Sequence, residues 1–367
     1  MAPLPPAIKK MKRFEKDKKI EKSKDMVEKA ITDGRLAFEE KKMKIDTDQY
    51  SLHKQDMWNL SLWGSMIHKT KSTVNNGTFP DSSIKLHDHE VRQLASFMNS
   101  KFGSGVRFLD RIQTGITLSD AVGYKGCREL EGTYAEFLES FYGKPFLLSG
   151  PVLPEPPTST LEEKWAQLLS GFKPGSVIYC AFGSEWRLIQ NQFKELLLGL
   201  ELTGFPFLAA LKAPIGFDSV EEAMPEGFKE RAHGRGIVHE GWFQQTLILD
   251  HPSIGCFMTH CGASSLVEAL VSKCQIVMLS NILDQIFNAR LISSSFKAGV
   301  EVEKGEEDGL FTKESVCKAV KAVMDDESEI GREARKNHLK LRNILISKDL
   351  ENTYIDSFCH KLQELLG

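Results

Sequence analysis

Long apolar runs are missing from this 367-residue chain. Stretches such as Val177 to Phe182 and Gln275 to Leu279 have the length of strands. They fall far short of the roughly 20 apolar residues a membrane-spanning helix requires. Paired cysteine motifs are missing too. The seven cysteines (Cys127, Cys180, Cys256, Cys261, Cys274, Cys317 and Cys359) are scattered, odd in number and mostly set in apolar surroundings, with no CxxC pair. A disulfide scaffold is thereby excluded, no metal site is signalled, and reduced thiols in a cytoplasmic protein are expected. Charge of one sign is lacking as well. With 47 Lys+Arg against 50 Asp+Glu the net charge is −3, which leaves no field to attract nucleic acid or an anionic membrane. The opening MAPLPPAIKKMKRFEKDKK has no apolar core of the signal-peptide kind, and no internal repeat is visible. What remains is ordinary globular composition, 41% hydrophobic and 26% charged, long enough for about two domains of roughly 150 residues.

The small net charge hides an asymmetry. Residues 1–50 hold 14 Lys/Arg and 10 Asp/Glu, so 24 of 50 positions are charged. Ala7 to Lys29 is compatible with a solvated helix, but its apolar positions are too sparse for a core-facing stripe. A disordered or solvated extension is expected, and the near balance of charges argues against an RNA-binding arm. Asn59-Leu60-Ser61 and Asn76-Gly77-Thr78 match the glycosylation pattern without a secretory context to use it. His53 and His68 sit in polar, lysine-rich surroundings.

The texture changes near Phe79-Pro80. A helix is expected over 86–102, a strand over Ala121–Tyr124, a helix over Glu129–Phe141 and a strand over Pro145–Leu148. GPVLPEPPTST then looks like an interdomain linker, followed by a capping box from Thr160 to Glu163. Beyond it strands and helices alternate, with strands at 176–182, 207–211, 236–239, 255–259, 276–279 and 300–302. The intervening helices fall at 190–202, 245–249, 264–272 and 284–294, and three more run to Leu366. Alternation of this kind predicts a doubly wound parallel sheet that binds ligands at the carboxyl ends of its strands.

Trp242 to Gln285 carries the chemistry. The strand 255–259 runs out at His260, the small-residue turn Cys261-Gly262-Ala263 follows, and a helix opens at Ser264-Ser265. Small residues admit a ligand close to the backbone, and the N–H groups at a helix start suit a diphosphate. Glu268 lies four residues past Ser264 on the same helical face, where its carboxylate can accept two hydrogen bonds from sugar hydroxyls. Trp242 offers a flat face for a base, and Asp284 and Gln285 follow the next strand at the same edge. Each has an ordinary reading when taken alone: core packing for Trp242, a hydrogen-bonded structural role for His260, an N-cap for Ser264, a solvated helix position for Glu268. Their spacing points jointly to a nucleotide sugar.

The 44 residues from Trp242 to Gln285 resemble the nucleotide-sugar signature box of plant family 1 UDP-glycosyltransferases. The match rests on Trp242, Gln245, His251, His260-Cys261-Gly262, Ser265, Glu268 and the closing Asp284-Gln285. It extends through FGSGVRFLDRI (102–112), GPVLPEP and SVIYCAFGSEWRL (176–188), over about residues 79–366. The texture is similar to the branch that adds a second sugar to flavonoid or anthocyanin 3-O-glycosides. The resemblance implies a GT-B fold of class α/β, with a complete C-terminal Rossmann-like domain and an incomplete N-terminal one. It implies uracil stacking on Trp242 with Gln245 beside it. The diphosphate would be held by His260, Gly262, Ser264, Ser265 and Ser184, the ribose by Glu268, and the donor sugar by Asp284 and Gln285. UDP-sugar would be the co-substrate with no other cofactor, the acceptor a phenolic glycoside, the transfer inverting and the protein a monomer.

The sequence also departs from that family. The usual Trp-Asn after His-Cys-Gly is Ala263-Ser264, the usual Gly-Val-Pro is Lys273-Cys274-Gln275, and the usual Pro before the closing Gln is Ser280. The family's base is a histidine after the first N-terminal strand, and nothing in residues 1–78 matches it. His87 and His89 lie where the family does not place catalysis. No catalytic residue is therefore assigned. The expected division is an unrelated extension over 1–78, a remnant of the acceptor domain over 79–150, a linker over 151–160, a UDP-sugar-binding domain over 161–345 and a C-terminal helix over 346–367 that packs back towards the first domain. Two outcomes remain open: a glycosyltransferase with weak UDP-sugar binding and little transfer, or, as the alternative, a nonenzymatic UDP-sugar-binding remnant or the product of a mispredicted or fused gene.

Overall fold

The computed structural model describes residues 36–37, 83–101, 105–151, 153–184 and 186–366. Its first sheet has three parallel strands in the order β1 (Leu36–Ala37), β2 (Ala121–Tyr124), β3 (Phe146–Leu148). Leu36 pairs with Ala121 and Ala37 with Val122. These two residues fall within 1–78, which the sequence reading treats as irregular, yet they form a strand. The reason lies in β2, all four residues of which are buried. Buried backbone N–H and C=O groups need partners on both sides, and β3 supplies only one. The helix expected over 7–29, His53, His68 and the two glycosylation-like tripeptides lie outside the described residues.

Among the described residues three helices accompany this sheet: Asp88–Asn99, Phe108–Thr117 and Arg128–Tyr142. The second was not expected from the sequence; its short amphipathic pattern buries Phe108, Leu109 and Ile116. The third stops at Gly143, whose φ of 64° is the left-handed conformation that ends a helix cheaply only in glycine. Val122, Tyr124, Leu138, Phe146 and Leu148 form the core of this part.

The second sheet contains six parallel strands: β4 (Val177–Ala181), β5 (Phe207–Ala210), β6 (Gly236–His239), β7 (Ile254–Thr259), β8 (Gln275–Met278) and β9 (Val300–Glu301). Their order is β6-β5-β4-β7-β8-β9. β4 is apolar throughout because both its faces are covered. Ile178 and Cys180 enter one core, with Phe193, Leu196 and Val320, while Val177, Tyr179 and Ala181 enter the other, with Phe243, Phe257 and Leu270. The chain runs outward from β4 in one direction, then restarts at β7 in the other. The crevice outside the carboxyl ends of β4 and β7 is the topological switch point where such sheets bind ligands.

Two local expectations are corrected. The helix after the linker is Glu163–Ser170 with Glu162 at its N-cap, and the Thr160–Glu163 capping box is not formed. The Gln244 side chain takes its place, accepting from Glu162 N–H at 2.8 Å and donating to the Thr160 carbonyl at 3.1 Å. The helix expected over 284–294 is α-helical only over Leu283–Arg290 and continues as a π-turn, Leu291–Ser295. This element joins the two parts of the molecule. Phe287 packs among Leu94, Met98, Phe108 and Leu109, and Leu291 against the core of the first sheet. The C-terminal helix Leu350–Leu366 also reaches across: the Tyr354 hydroxyl accepts from Arg128 N–H at 2.6 Å and donates to Glu129 at 2.8 Å.

Candidate functional site

The loops after β4 and β7 meet at the switch point. After β7 the chain turns sharply through His260, Cys261 and Gly262. Cys261 adopts φ of 69°, a left-handed conformation that is costly for a residue with a side chain. The turn is held by the Asn288 amide, which donates to the Cys261 carbonyl at 2.9 Å, and by Thr259 Oγ1, which accepts from Cys261 N–H at 3.2 Å. The helix Ala263–Val271 then begins with Gly262, not Ser264, at its N-cap. No side chain caps it and no carboxylate occupies its first turn, so its positive end faces the crevice.

His260 is 8% exposed, and its Nδ1 is buried with no hydrogen-bond partner. A buried polar atom without a partner costs about 1–3 kcal/mol, so its presence at this edge marks a place for a ligand. The opposite wall is Gly183, at φ of 69°, where a Cβ would stand 3.0 Å from the His260 ring. Glycine is required there on both counts, and it leaves exposed Ser184 at the mouth of the same turn. Burial pulls the His260 pKa down to about 4, with the Ala181 carbonyl opposing the shift. The ring is therefore neutral at pH 7 and meets an anion as a dipole.

A pH effect follows from this depressed value. The unfolded chain takes up the proton near pH 6.5 and the folded chain only near pH 4. The stabilisation gained by burying a neutral ring is full above pH 6.5 and is lost as pH falls from about 6.5 to about 4. Imidazole NMR is expected to show His260 titrating near pH 4, well below the ordinary imidazole value. A midpoint near 6.5 would contradict the buried, neutral ring.

Trp242 and Phe243 divide their roles by alternation. Phe243 turns inward, with ring centroids 4.7 Å from Trp165 and 5.2 Å from His239, and Trp242 is left 79% exposed, three residues beyond the end of β6. Core packing is ruled out for Trp242, which presents an open aromatic face. Gln245, in the helix Gln245–Leu249, donates through Nε2 to Glu268 at 2.6 Å and to Ser265 Oγ at 3.2 Å, while its Oε1 accepts from the Tyr179 hydroxyl at 3.4 Å. This amide thus fixes the carboxylate of Glu268. Burial raises the Glu268 pKa, and the bond from Gln245 opposes that rise. His251 has a local role, its Nδ1 accepting from Ser253 N–H at 3.2 Å.

Asp284 and Gln285 are both buried, beyond β8. The Gln285 side-chain oxygen, Oε1, accepts from the N–H groups of Asn281 and Ile282 at 3.3 and 3.4 Å, capping its own helix. Ser264 is exposed on the first turn of its helix. His87 and His89 stand apart from this edge: Nδ1 of His87 pairs with the Glu306 carboxylate and Nδ1 of His89 with the Glu306 carbonyl at 3.0 Å.

Comparison with known proteins agrees with this geometry. Residues 219–349 match the family described as UDP-glucoronosyl and UDP-glucosyl transferase. The chain is 62% identical over 289 residues to cyanidin 3-O-galactoside 2''-O-xylosyltransferase of Actinidia chinensis var. chinensis, covering 79% of this chain and 63% of that protein. It is 59% identical over 290 residues to anthocyanidin 3-O-glucoside 2''-O-glucosyltransferase of Ipomoea nil, with the same coverage. Over this portion the chain is similar to UDP-glycosyltransferases. The chain spans just under two thirds of the length of these relatives. Solved structures agree on a GT-B fold. TcCGT1 in complex with UDP superposes with a TM-score of 0.66 at 21% identity, covering 85% of this chain and 71% of that one. Phytolacca americana UGT2, complexed with UDP-2fluoro-glucose and pterostilbene, gives 0.63 at 22% identity, over 82% and 67%.

Sequence reading of this chain missed two features. Gln244, next to the matched Gln245, binds the linker through Ser159 and Thr160. Its adjacency to the box was the only available signal. The second feature is a buried cluster of Glu90, Arg290, Glu301 and Lys304. These residues are far apart in sequence and each looks like an ordinary surface charge.

Proposed function

We propose that this chain binds a UDP-sugar across the carboxyl ends of β4 and β7 and serves as the donor half of an inverting glycosyltransferase. The observation that carries this reading is the buried, unpartnered Nδ1 of His260 at an uncapped helix start, in a crevice whose rim holds the exposed Trp242. The proposed roles are stacking of uracil on Trp242, with Gln245 orienting Glu268 towards the ribose hydroxyls. His260, Ser265, Ser184 and the backbone at Gly262 and Ser264 face the diphosphate, and Asp284 and Gln285 the hexose or pentose. The reading assigns no cofactor beyond the co-substrate.

In the transfer itself an acceptor hydroxyl oxygen attacks the anomeric carbon, the bond to the UDP oxygen breaks, and the hydroxyl proton leaves to a base. Relatives named for 2''-O-transfer to anthocyanidin or cyanidin 3-O-glycosides support a phenolic glycoside acceptor. Among the described residues the reading assigns no base: His87 and His89 are engaged at Glu306, and His260 is given to the diphosphate. General base catalysis is worth roughly 10²–10⁴-fold, so we propose that donor binding outlasts efficient transfer in this chain. The seven unpaired cysteines, six of them buried, fit the reducing cytoplasm.

Calorimetric titration with UDP tests the reading. Saturable binding is expected, and Trp242→Ala is expected to weaken it by about tenfold, since stacking of a base on an aromatic is worth ~1–3 kcal/mol. A folded sample that does not bind UDP would refute the donor site. Rapid transfer to cyanidin 3-O-glucoside would refute the impaired chemistry.

A further inference from the structure

The helix that carries Asp284 and Gln285 starts from the turn Ser280-Asn281-Ile282, and that turn is held from several sides. Gln285 accepts from the N–H groups of Asn281 and Ile282. The Lys304 amine, on a side chain 6% exposed, donates to the Ser280 carbonyl at 2.9 Å and lies 3.4 Å from Ser280 Oγ. Gln93, on the helix Asp88–Asn99, reaches the Asn281 carbonyl at 3.5 Å.

Lys304 is itself seated in a charge cluster that crosses between the two parts of the molecule. Its amine stands 3.8 Å from Glu90, whose side chain is 0% exposed. Arg290 donates from one nitrogen to both Glu90 oxygens, at 3.1 and 3.2 Å, and from another to Glu301. Arg290 also closes the last turn of the helix that begins with Asp284 and Gln285. Burial pulls the Lys304 pKa down, while Glu301 and Glu90 hold it up. Two cations and two carboxylates are an expensive way to fill a core. Apolar residues of similar volume often serve stability as well or better, so the energetic return on this arrangement is its directional geometry. That geometry fixes both ends of one helix, at Ser280 through Lys304 and at Arg290 through Glu90 and Glu301.

We propose that Lys304 and Glu90 are positioning residues for the donor sugar, clamping the Ser280–Ile282 turn so that Asp284 and Gln285 meet the sugar hydroxyls in a single register. Glu90 belongs to the helix Asp88–Asn99, outside the donor domain, so the remnant of the first domain sets sugar recognition in the second. The inference rests on the donor-site reading above, in which Asp284 and Gln285 face the sugar while Trp242 and Glu268 hold the nucleoside.

The test compares UDP with UDP-glucose by calorimetry on the full chain, with thermal unfolding recorded for each sample. Lys304→Met is expected to weaken UDP-glucose binding by about tenfold, the worth of one well-aligned hydrogen bond, and to leave UDP binding within about twofold. The charge-balanced variant Glu90→Gln with Lys304→Met retains the Arg290–Glu301 pair and is expected to show the same split, should the single variant unfold. Equal losses for UDP and UDP-glucose, no change in either, or unfolding of both variants would overturn the proposal by showing the cluster to be structural only. Failure of the unsubstituted chain to bind UDP is a different outcome: it removes the donor site itself, and this inference with it.

Discussion

Arg290→Met is expected to cost about 3–5 kcal/mol of stability. The arginine side chain is 9% exposed and lies between Glu90, at 0%, and Glu301, at 13%. Methionine fills much of the same volume, so packing changes little. What is lost is the guanidinium that donates to both carboxylates and, through Nε, to the Lys85 carbonyl at 3.2 Å. Lys304 alone then faces two buried carboxylates, and one charge is left uncompensated in a medium that solvates it poorly. Urea unfolding, read at pH 7 with the unfolding slope held in common, measures the effect. A loss under about 1 kcal/mol, the usual worth of an exposed ion pair, would show that water reaches this cluster.

The second large effect is on binding. Glu268→Ala is expected to weaken UDP by about 10–100-fold, because a hydrogen bond to a charged acceptor is worth ~1.5–3 kcal/mol. The carboxylate is already oriented for a ligand. Gln245 donates to its Oε2 at 2.6 Å, which fixes the side chain and leaves the remaining lone pairs for ribose hydroxyls. Specificity for ribose gives the sharper readout. The unsubstituted chain is expected to prefer UDP over 2'-deoxy-UDP, and that preference is expected to vanish in Glu268→Ala. A preference that survives the substitution would place the ribose elsewhere. Glu268→Gln, which keeps one acceptor, is expected to fall between the two.

The central strands of the second sheet were legible as short apolar runs, fully buried in β4, and the half-buried edge strand β6 also matches its expected span, Gly236–His239. Helix ends were legible where a residue has one dominant use, as with Gly204 at φ of 81° closing the helix Gln190–Thr203. The capping box at Thr160 failed because a side chain 84 positions away, Gln244, supplied a competing partner. The helix Phe108–Thr117 was missed for a related reason. Its ten residues give a weak periodic signal, and what makes it helical is a shared core with Leu94, Met98 and Phe287.

The candidate site divides along the same line. Residue types and spacing from Trp242 to Gln285 carried, without coordinates, the resemblance to the family and the expectation of a nucleotide ligand, because binding a nucleotide at a strand–turn–helix requires small residues, a helix start and a carboxylate at fixed separations along one segment. Only the tertiary structure decided which chemistry each residue is free to perform. It exposed Trp242 by burying Phe243, left Nδ1 of His260 unpartnered, and committed Oε1 of Gln285 to its own helix. It also assembled Glu90, Arg290, Glu301 and Lys304 from positions up to 214 apart. A local pattern records what neighbours along the chain can do together; burial and long-range hydrogen bonds depend on which distant groups arrive, and no local pattern contains that.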